Sequence, residues 1–261
     1  MMWNGTTVSV EVRGNVALVT LNRPENANVL NLPMGRELLE AAIACGKHPA
    51  VRAVVLTGAG KHFCFGGDLR GMMGEGGAVD SYLRELTSFL HQAISHFVRM
   101  DAPVIAAVNG TAAGAGVGLV AMADMAICSE SSKFSLAYTG VALTPDGSTS
   151  FFLPRLIGAK RAMELILTNR PVTAQEALQW GLVNQVVADG EQVNEAMKLA
   201  EKLAAGPTRA FGKAKRLLAG ANGALESHLV LESETIAQQA ASAEGLEGIQ
   251  AFLDKRKPQY K

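Results

Sequence analysis

The sequence is short of several things that would mark its class at once. It has no excess charge: 24 Lys and Arg balance 24 Asp and Glu among 261 residues. A neutral chain has no global pull toward nucleic acid or an anionic membrane, so neither is expected as a partner. Cysteine is scarce. Cys45, Cys64 and Cys128 are an odd number at wide spacing, with no CxxC and no Cys/His ligand set. That argues for buried reduced thiols in a cytoplasmic protein, and against a disulfide framework or a zinc site. His48, His62, His96 and His228 show no metal spacing either. The first twelve residues lack a basic region followed by an apolar run, so no secretory signal is expected there. The most apolar stretch, 103–128, is broken by Asn109, several glycines and Asp124, which argues against a membrane span.

What is present suits a large buried core. Hydrophobic residues make up 48% and charged residues 18%, a balance typical of globular chains of this length. Residues 8–12 and 16–21 read as two strands joined by a hairpin turn at Arg13, Gly14 and Asn15. Residues 33–45 have helical spacing and end near Gly46. A buried strand follows over 51–57, then a glycine-rich irregular stretch over 61–77, then a long helix over 81–100. The order repeats: strand 104–108, turn Asn109-Gly110, small-residue helix 114–122, strands 125–128 and 133–136. Helices are expected over 161–167 and 174–180, with a short strand at 183–187. Short strands alternating with helices predict an α/β architecture. From Gln192 onward the pattern is purely helical, so the chain divides into a core over 1–191 and a C-terminal helical region over 192–261.

Two glycine-rich segments follow buried strands: HFCFGGDL over 62–69 and NGTAAGAGVG over 109–118. The second opens a helix, whose first N–H groups have no partner within the helix. A Walker A loop needs GxxxxGK[ST], which is absent. A dinucleotide fingerprint needs GxGxxG, but Leu119 stands where the third glycine should fall. What remains is an oxyanion hole made by N–H donors from two loops, or tight packing of small residues between helix and sheet.

The two segments belong to a longer series: FCFGGDL, PVIAAVNGTAAGAGVGL, AD, KF, TPDG, then LPRLIGAKRAMELILTNRPVTAQEALQWGLVNQV and a closing AFLDKRKPQYK. In order and spacing this series resembles the crotonase superfamily of enoyl-CoA hydratases and isomerases over nearly the whole chain. The resemblance implies a spiral of ββα units, a helical C-terminal trimerisation region, a homotrimer or a dimer of trimers, and a coenzyme A thioester substrate with no separate cofactor. It places the oxyanion donors at the N–H groups of Gly67 and Ala115. It puts the Phe65 carbonyl against the adenine, and Asp68, Leu69, Gly114 and Tyr138 among the substrate contacts. Arg23, and Lys255 from a neighbouring subunit, become candidates for coenzyme A phosphates; each also reads as an ordinary solvated cation.

Hydratases of that family position water with two glutamates. Gly118 and Tyr138 stand at those positions, and neither is a carboxylate. Asp146 is the remaining acid in the region, between Pro145 and Gly147. By itself it reads as a turn residue or a helix cap; several family isomerases place a single acid/base there. An enoyl-CoA isomerase, acting on a double bond or an epoxide, is therefore the leading expectation. The runner-up is a 4-chlorobenzoyl-CoA-type dehalogenase, with Asp146 as nucleophile and His91 as base. Tyr138 in place of a Trp, Thr144-Pro145 in place of Gly-Asn, and Gly67 in place of an aromatic depart from that enzyme. His91 also reads as a structural filler on its helix. A scaffold or RNA-binding protein of crotonase fold is the non-enzymatic alternative.

Overall fold

In the computed structural model, residues 3–74, 78–218 and 222–258 are described. After β1 (Trp3–Asn4), the strands β2 (Val8–Arg13) and β3 (Val16–Leu21) fold back on each other antiparallel. The reversal falls at Gly14 and Asn15, with Gly14 at φ +59° as a tight hairpin turn requires. The helix α1 (Leu32–Lys47) starts where the Asn31 side chain accepts from Met34 N at 3.1 Å. The strand β4 (Ala53–Gly58) is buried throughout. Next come α2 (Leu69–Gly74), α3 (Val79–Arg99), β5 (Val104–Val108), β6 (Ala112–Ala113) and α4 (Ala115–Met122). After β7 (Met125–Ser129) and β8 (Lys133–Ser135) the chain forms α5 (Thr149–Ile157), α6 (Ala159–Thr168), β9 (Val172–Thr173), α7 (Ala174–Trp180) and β10 (Gln185–Val187). Four helices close it: α8 (Gln192–Ala204), α9 (Thr208–Leu218), α10 (Asn222–Ala240) and α11 (Ala243–Leu253).

The main sheet has the order β1-β2-β3-β4-β5-β7-β10, and it is parallel from β3 onward. Its central strands are covered on both faces, which is why they read as unbroken apolar runs rather than as alternation. One face packs against α1, α3 and the loops that carry the site. The other is closed by α8, whose Ala196, Met197, Ala200 and Ala204 meet Val16, Leu18, Val55, Ile105 and Ile127. A second, smaller sheet of β6, β8 and β9 stands beside the first. The helix α10 lies along α3, and α11 packs on a short turn of 3-10 helix at Thr139–Val141.

The α/β architecture expected from the pattern is present. One stretch differs. Residues 61–77 were expected to be irregular, yet 69–74 form α2; residues 75–77 lie outside the described ones. Asp68 is the reason. Its Oδ1 accepts from Gly71 N at 3.0 Å, a side-chain cap, and Met72 is buried. Cap and burial together override the low helix propensity of Gly71 and Gly74.

Candidate active site

The site forms beyond the C-terminal ends of β4 and β5, where loops of an open parallel sheet converge. The loop after β4 is held by two asparagines. Asn28 is fully buried and donates to the carbonyls of Ala59 and His62 at 2.9 and 2.8 Å, while its Oδ1 accepts from Arg23 N. Asn109 accepts from Gly58 N at 3.2 Å and donates to Gly60 O at 2.9 Å. The loop then runs as a short strand between two neighbours. Leu30 N donates to Gly66 O at 2.7 Å and Asp68 N to Leu30 O at 2.9 Å, a parallel bridge centred on Gly67. In such a bridge the central residue's own N–H turns away from the partner, here toward the other loop. Ala113 N donates to Cys64 O at 2.8 Å and ties this strand to β6. Gly66, at φ +82°, sits so close to Ala113 and Ala115 that a side chain would crowd both. Ala115 is the first residue of α4, where an N–H has no acceptor within the helix.

Gly67 and Ala115 line one cavity of about 260 Å³. Phe65, Leu69, Gly114, Tyr138 and Asp146 line it as well, so seven of the residues named from the sequence meet there. Its walls are otherwise mostly apolar, with Met72 from α2, Leu83, Leu86 and Leu90 from α3, Ile236 from α10 and Phe252 from α11, and with Thr87, Thr111 and Ser135 as the polar exceptions. Phe65 and Phe252 are 41% and 59% exposed, well above the other lining phenylalanine-sized groups, and this places them at the mouth.

Asp146 is 3% exposed, and its Oδ1 lies 2.9 Å from His91 Nε2. His91 projects from the middle of α3 and is also buried. The carboxylate does not cap α5. Ser148 occupies the cap position, and it is the Asp146 backbone carbonyl that accepts from Thr149 N at 3.2 Å, from Thr149 Oγ1 at 2.6 Å and from the Tyr138 hydroxyl at 2.8 Å. Three donors on the main chain leave the carboxylate to His91 and the cavity, and the helix-cap reading of this residue gives way. Tyr138 thus lines the cavity and also sets the height of the Asp146 loop.

The Gly118 position is closed to any side chain. A Cβ built there would overlap the Gly147 carbonyl oxygen, a backbone atom that cannot swing aside. The space a hydratase-like glutamate would need is filled by the loop that carries Asp146.

Arg23 donates to Val29 O at 2.7 Å and pairs with Asp68 at 3.3 Å, both side chains largely buried. Its place is therefore a brace between the loop after β3 and the start of α2. Lys255 is exposed beyond α11, in a left-handed turn at φ +54°, away from the cavity lining. Burial pushes the Cys45, Cys64 and Cys128 thiols up to about 12, so none is a nucleophile at neutral pH. Among the described residues no three His, Cys, Asp or Glu side chains gather as a metal-ligand group, and no helix is long and apolar enough to cross a membrane.

Sequence reasoning passed over Asn28, Thr87, Met72 and the α10–α11 side of the cavity. Asn28 had a local signal: a polar residue in an asparagine-rich turn before a helix, suited to its left-handed φ of 55°. Leu83, Leu86 and Leu90 had none, since a helix stripe that lines a cavity looks the same as one that fills a core.

A family model described as enoyl-CoA hydratase/isomerase matches residues 11–261. A probable enoyl-CoA hydratase of Rhodobacter capsulatus is 40% identical over 255 residues, covering 97% of each chain. A 1,2-epoxyphenylacetyl-CoA isomerase of Escherichia coli is 37% identical over 252 residues (95% of this chain, 96% of the relative). A 4-chlorobenzoyl coenzyme A dehalogenase of an Arthrobacter species is 34% identical over 250 residues (95% and 91%). The crystal structure of an enoyl-CoA hydratase from Mycobacterium avium subsp. paratuberculosis superimposes with a TM-score of 0.88 at 30% identity, covering 99% of this chain and all of the other. With its sheet, its two loops and its full-length match, the chain belongs to the enoyl-CoA hydratase/isomerase family and has the crotonase fold.

Proposed function

We infer that this acyl-CoA-processing enzyme is an isomerase that works through one acid/base, Asp146, and a thioester enolate. The observation that carries the reading is the opening of the Asp146 carboxylate onto the same apolar cavity as Gly67 and Ala115. The thioester oxygen rests on the N–H groups of Gly67 and Ala115, which stabilise the charge that develops there as C2 loses its proton; one such donor is worth about 100- to 1,000-fold in rate. Asp146 takes the proton from C2 and returns it at C4 of the dienolate, or assists opening of an epoxide beside the thioester. His91 holds the carboxylate in one orientation through the 2.9 Å bond. The lack of a carboxylate at Gly118 and Tyr138 supports isomerisation over hydration, since neither can activate a second reactant, water. The 1,2-epoxyphenylacetyl-CoA isomerase relative is consistent with this chemistry.

The His91–Asp146 contact also favours a second reading, supported by the dehalogenase relative. There Asp146 attacks an aryl carbon and displaces chloride, and His91 activates water against the resulting ester. One experiment separates the two. The protein is incubated with 3-hexenoyl-CoA and with 4-chlorobenzoyl-CoA while conjugation and chloride are followed. Conjugation without chloride supports the isomerase, and chloride release that needs both Asp146 and His91 reverses the choice. Failure to bind any acyl-CoA saturably returns the scaffold reading.

A further inference from the structure

A side chain on Gly66, Gly116 or Gly118 would run into backbone: Ala113 O, Cys64 O and Gly147 O respectively. Backbone cannot swing aside, so those gaps are fixed. Gly67 is different. Apart from its own chain neighbours, a Cβ there would meet a single atom within 4 Å among the described residues, Met72 Cε at 2.5 Å. The thioether methyl thus fills the space that a side chain on this loop would take. Nor does the backbone at Gly67 need glycine, since its φ lies outside the left-handed region that Gly66 occupies.

Met72 also differs in kind from the wall around it. It is buried and lines the cavity. Leu83, Leu86, Leu90 and Ile236 are branched, and Phe252 is a ring. Among the described lining residues Met72 is the one long unbranched apolar side chain, so its end can shift by rotation about its bonds where the others are stiff. Its backbone, by contrast, is held. Met72 N donates to Asp68 O at 3.0 Å, Gly71 N donates to Asp68 Oδ1 at 3.0 Å, and Arg23 pairs with Asp68 at 3.3 Å. A fixed stem therefore carries a movable tip against Gly67.

We propose that Met72 is the specificity-determining residue of the cavity: with Gly67 it forms a filter that limits the width of the acyl group next to the thioester. The proposal rests on the reading of Gly67 and Ala115 as the groups that hold the thioester oxygen. An acyl chain whose oxygen sits there passes the Met72 tip within its first carbons. A narrow chain leaves the tip over Gly67. A wide group at C2 must displace it, and any side chain added at Gly67 pushes it toward the cavity.

The test measures dissociation constants of butyryl-CoA, a narrow ligand, and 2-naphthylacetyl-CoA, a wide one, by calorimetry, which needs no turnover. Met72→Ala is expected to tighten naphthylacetyl-CoA about ten-fold and to weaken butyryl-CoA about three-fold, since it removes an obstacle from the wide ligand and an apolar contact from the narrow one. Met72→Leu, close in volume but branched and stiffer, is expected to weaken naphthylacetyl-CoA about five-fold while butyryl-CoA stays within about two-fold. Gly67→Ala is expected to weaken the wide ligand about ten-fold, and adding Met72→Ala to it brings that ligand back to within about three-fold of wild type. Met73, the next residue, packs partly buried against the core and is not on the cavity lining, so Met73→Ala is expected to leave the ratio of the two constants unchanged. Melting temperatures show that each variant is folded. A Met72→Ala protein that moves both ligands by the same factor, or a Met73→Ala protein that shifts the ratio as far, would overturn the proposal. An unchanged ratio in Met72→Leu does the same, whether or not the alanine variant folds. Conversion of 3-hexenoyl-CoA is followed alongside: a wild type that converts none, while the variants give the expected shifts in the ratio, removes the isomerase reading and leaves the filter standing.

Discussion

Two acids in this protein, Asp146 buried and Asp124 only partly enclosed, are each bonded to a basic partner, and of the two only Asp146 lines the apolar cavity. Asp124 pairs with Lys215 at 2.7 Å, and Asp146 pairs with His91 at 2.9 Å. The Asp124 pair is saturated with backbone. Val104 N donates to Asp124 at 2.7 Å, and Lys215 donates to the carbonyls of Ala102 and Phe97 at 2.9 and 3.2 Å. It ties α9 to the ends of α3 and β5, away from the cavity. Burial raises the Asp124 carboxyl and lowers the Lys215 ammonium, each only partly offset by the other's charge. The Asp146 pair has its backbone partners on the main-chain carbonyl instead, and its carboxylate faces an open cavity. Pairing with a basic partner is thus common to a strut and to the proposed acid/base. What separates them is a free face toward a space that a substrate can enter.

The comparison can be broken most sharply at Asp146. Asp146→Asn keeps the size and the bond to His91 but cannot take a proton. Its turnover of the acyl-CoA substrate is expected to fall by about 1,000-fold, near the upper range for a general base, with acyl-CoA affinity within about three-fold. Steady-state kinetics and a ligand titration check both halves, and wild-type turnover would end the assignment.

At the strut the effect should fall on stability instead. Lys215→Met leaves Asp124 without its cation and is expected to cost about 1 to 2 kcal/mol in urea unfolding, less than a fully buried pair would because the Asp124 side chain is 25% exposed, with kcat of the folded fraction unchanged. The double variant Lys215→Met with Asp124→Asn should recover part of that loss, because the amide oxygen still accepts from Val104 N while no charge is left unpaired. A large drop in kcat in the single variant would blur the distinction between the two pairs.

Tyr138→Phe removes one of three donors to the Asp146 carbonyl. It is expected to cost about 1 kcal/mol in stability. A fall in kcat of about three- to ten-fold should accompany it, because the loop that carries the base loses one fixed contact. An unchanged kcat would show that Thr149 alone holds the loop.

The smallest effect concerns a third acid that is paired only with neutral donors. Burial by itself would raise the Glu37 carboxyl, but hydrogen bonds from the Thr7 and Thr6 hydroxyls and from the Thr7 and Val8 backbone outweigh it and hold the group below its ordinary 4.5. A carboxyl lowered in the folded state stabilises the fold above its unfolded value, and that contribution disappears as pH falls below about 4.5 toward the folded value. Melting temperature should therefore fall less steeply between about pH 5 and 3 in Glu37→Gln than in wild type. Parallel curves for the two proteins would discount this acid.

Much of the architecture was legible because its signals are local. The run 104–108 is a β-strand and 174–180 a helix at the bounds expected from the pattern of the sequence. The loops at Gly67 and Ala115 were legible for a similar reason, as glycine-rich segments after buried strands. The helix α2 was not, because its glycines weigh against helix and its cap works only with Met72 buried. The packing of α8 onto the sheet was also out of reach: a stripe of Ala196, Ala200 and Ala204 shows that a helix has a buried face, but not what covers it.

The amino-acid sequence by itself determined the order of strands and helices, the two glycine-rich loops, and the absence of carboxylates at Gly118 and Tyr138. Those follow from residue type and spacing along one chain. Only the tertiary structure decided where the Asp146 carboxylate lies, beside His91 and on the lining of the cavity. Its neighbours in sequence suit a turn or a cap equally well, and the partner that chooses between them, His91, is 55 residues away on another helix. The same packing decided that Gly118 has no room for any side chain, since the atom that fills it belongs to Gly147. Contacts of that range are set by how α3, α4 and the loop before α5 converge on one cavity, and no local pattern encodes that convergence.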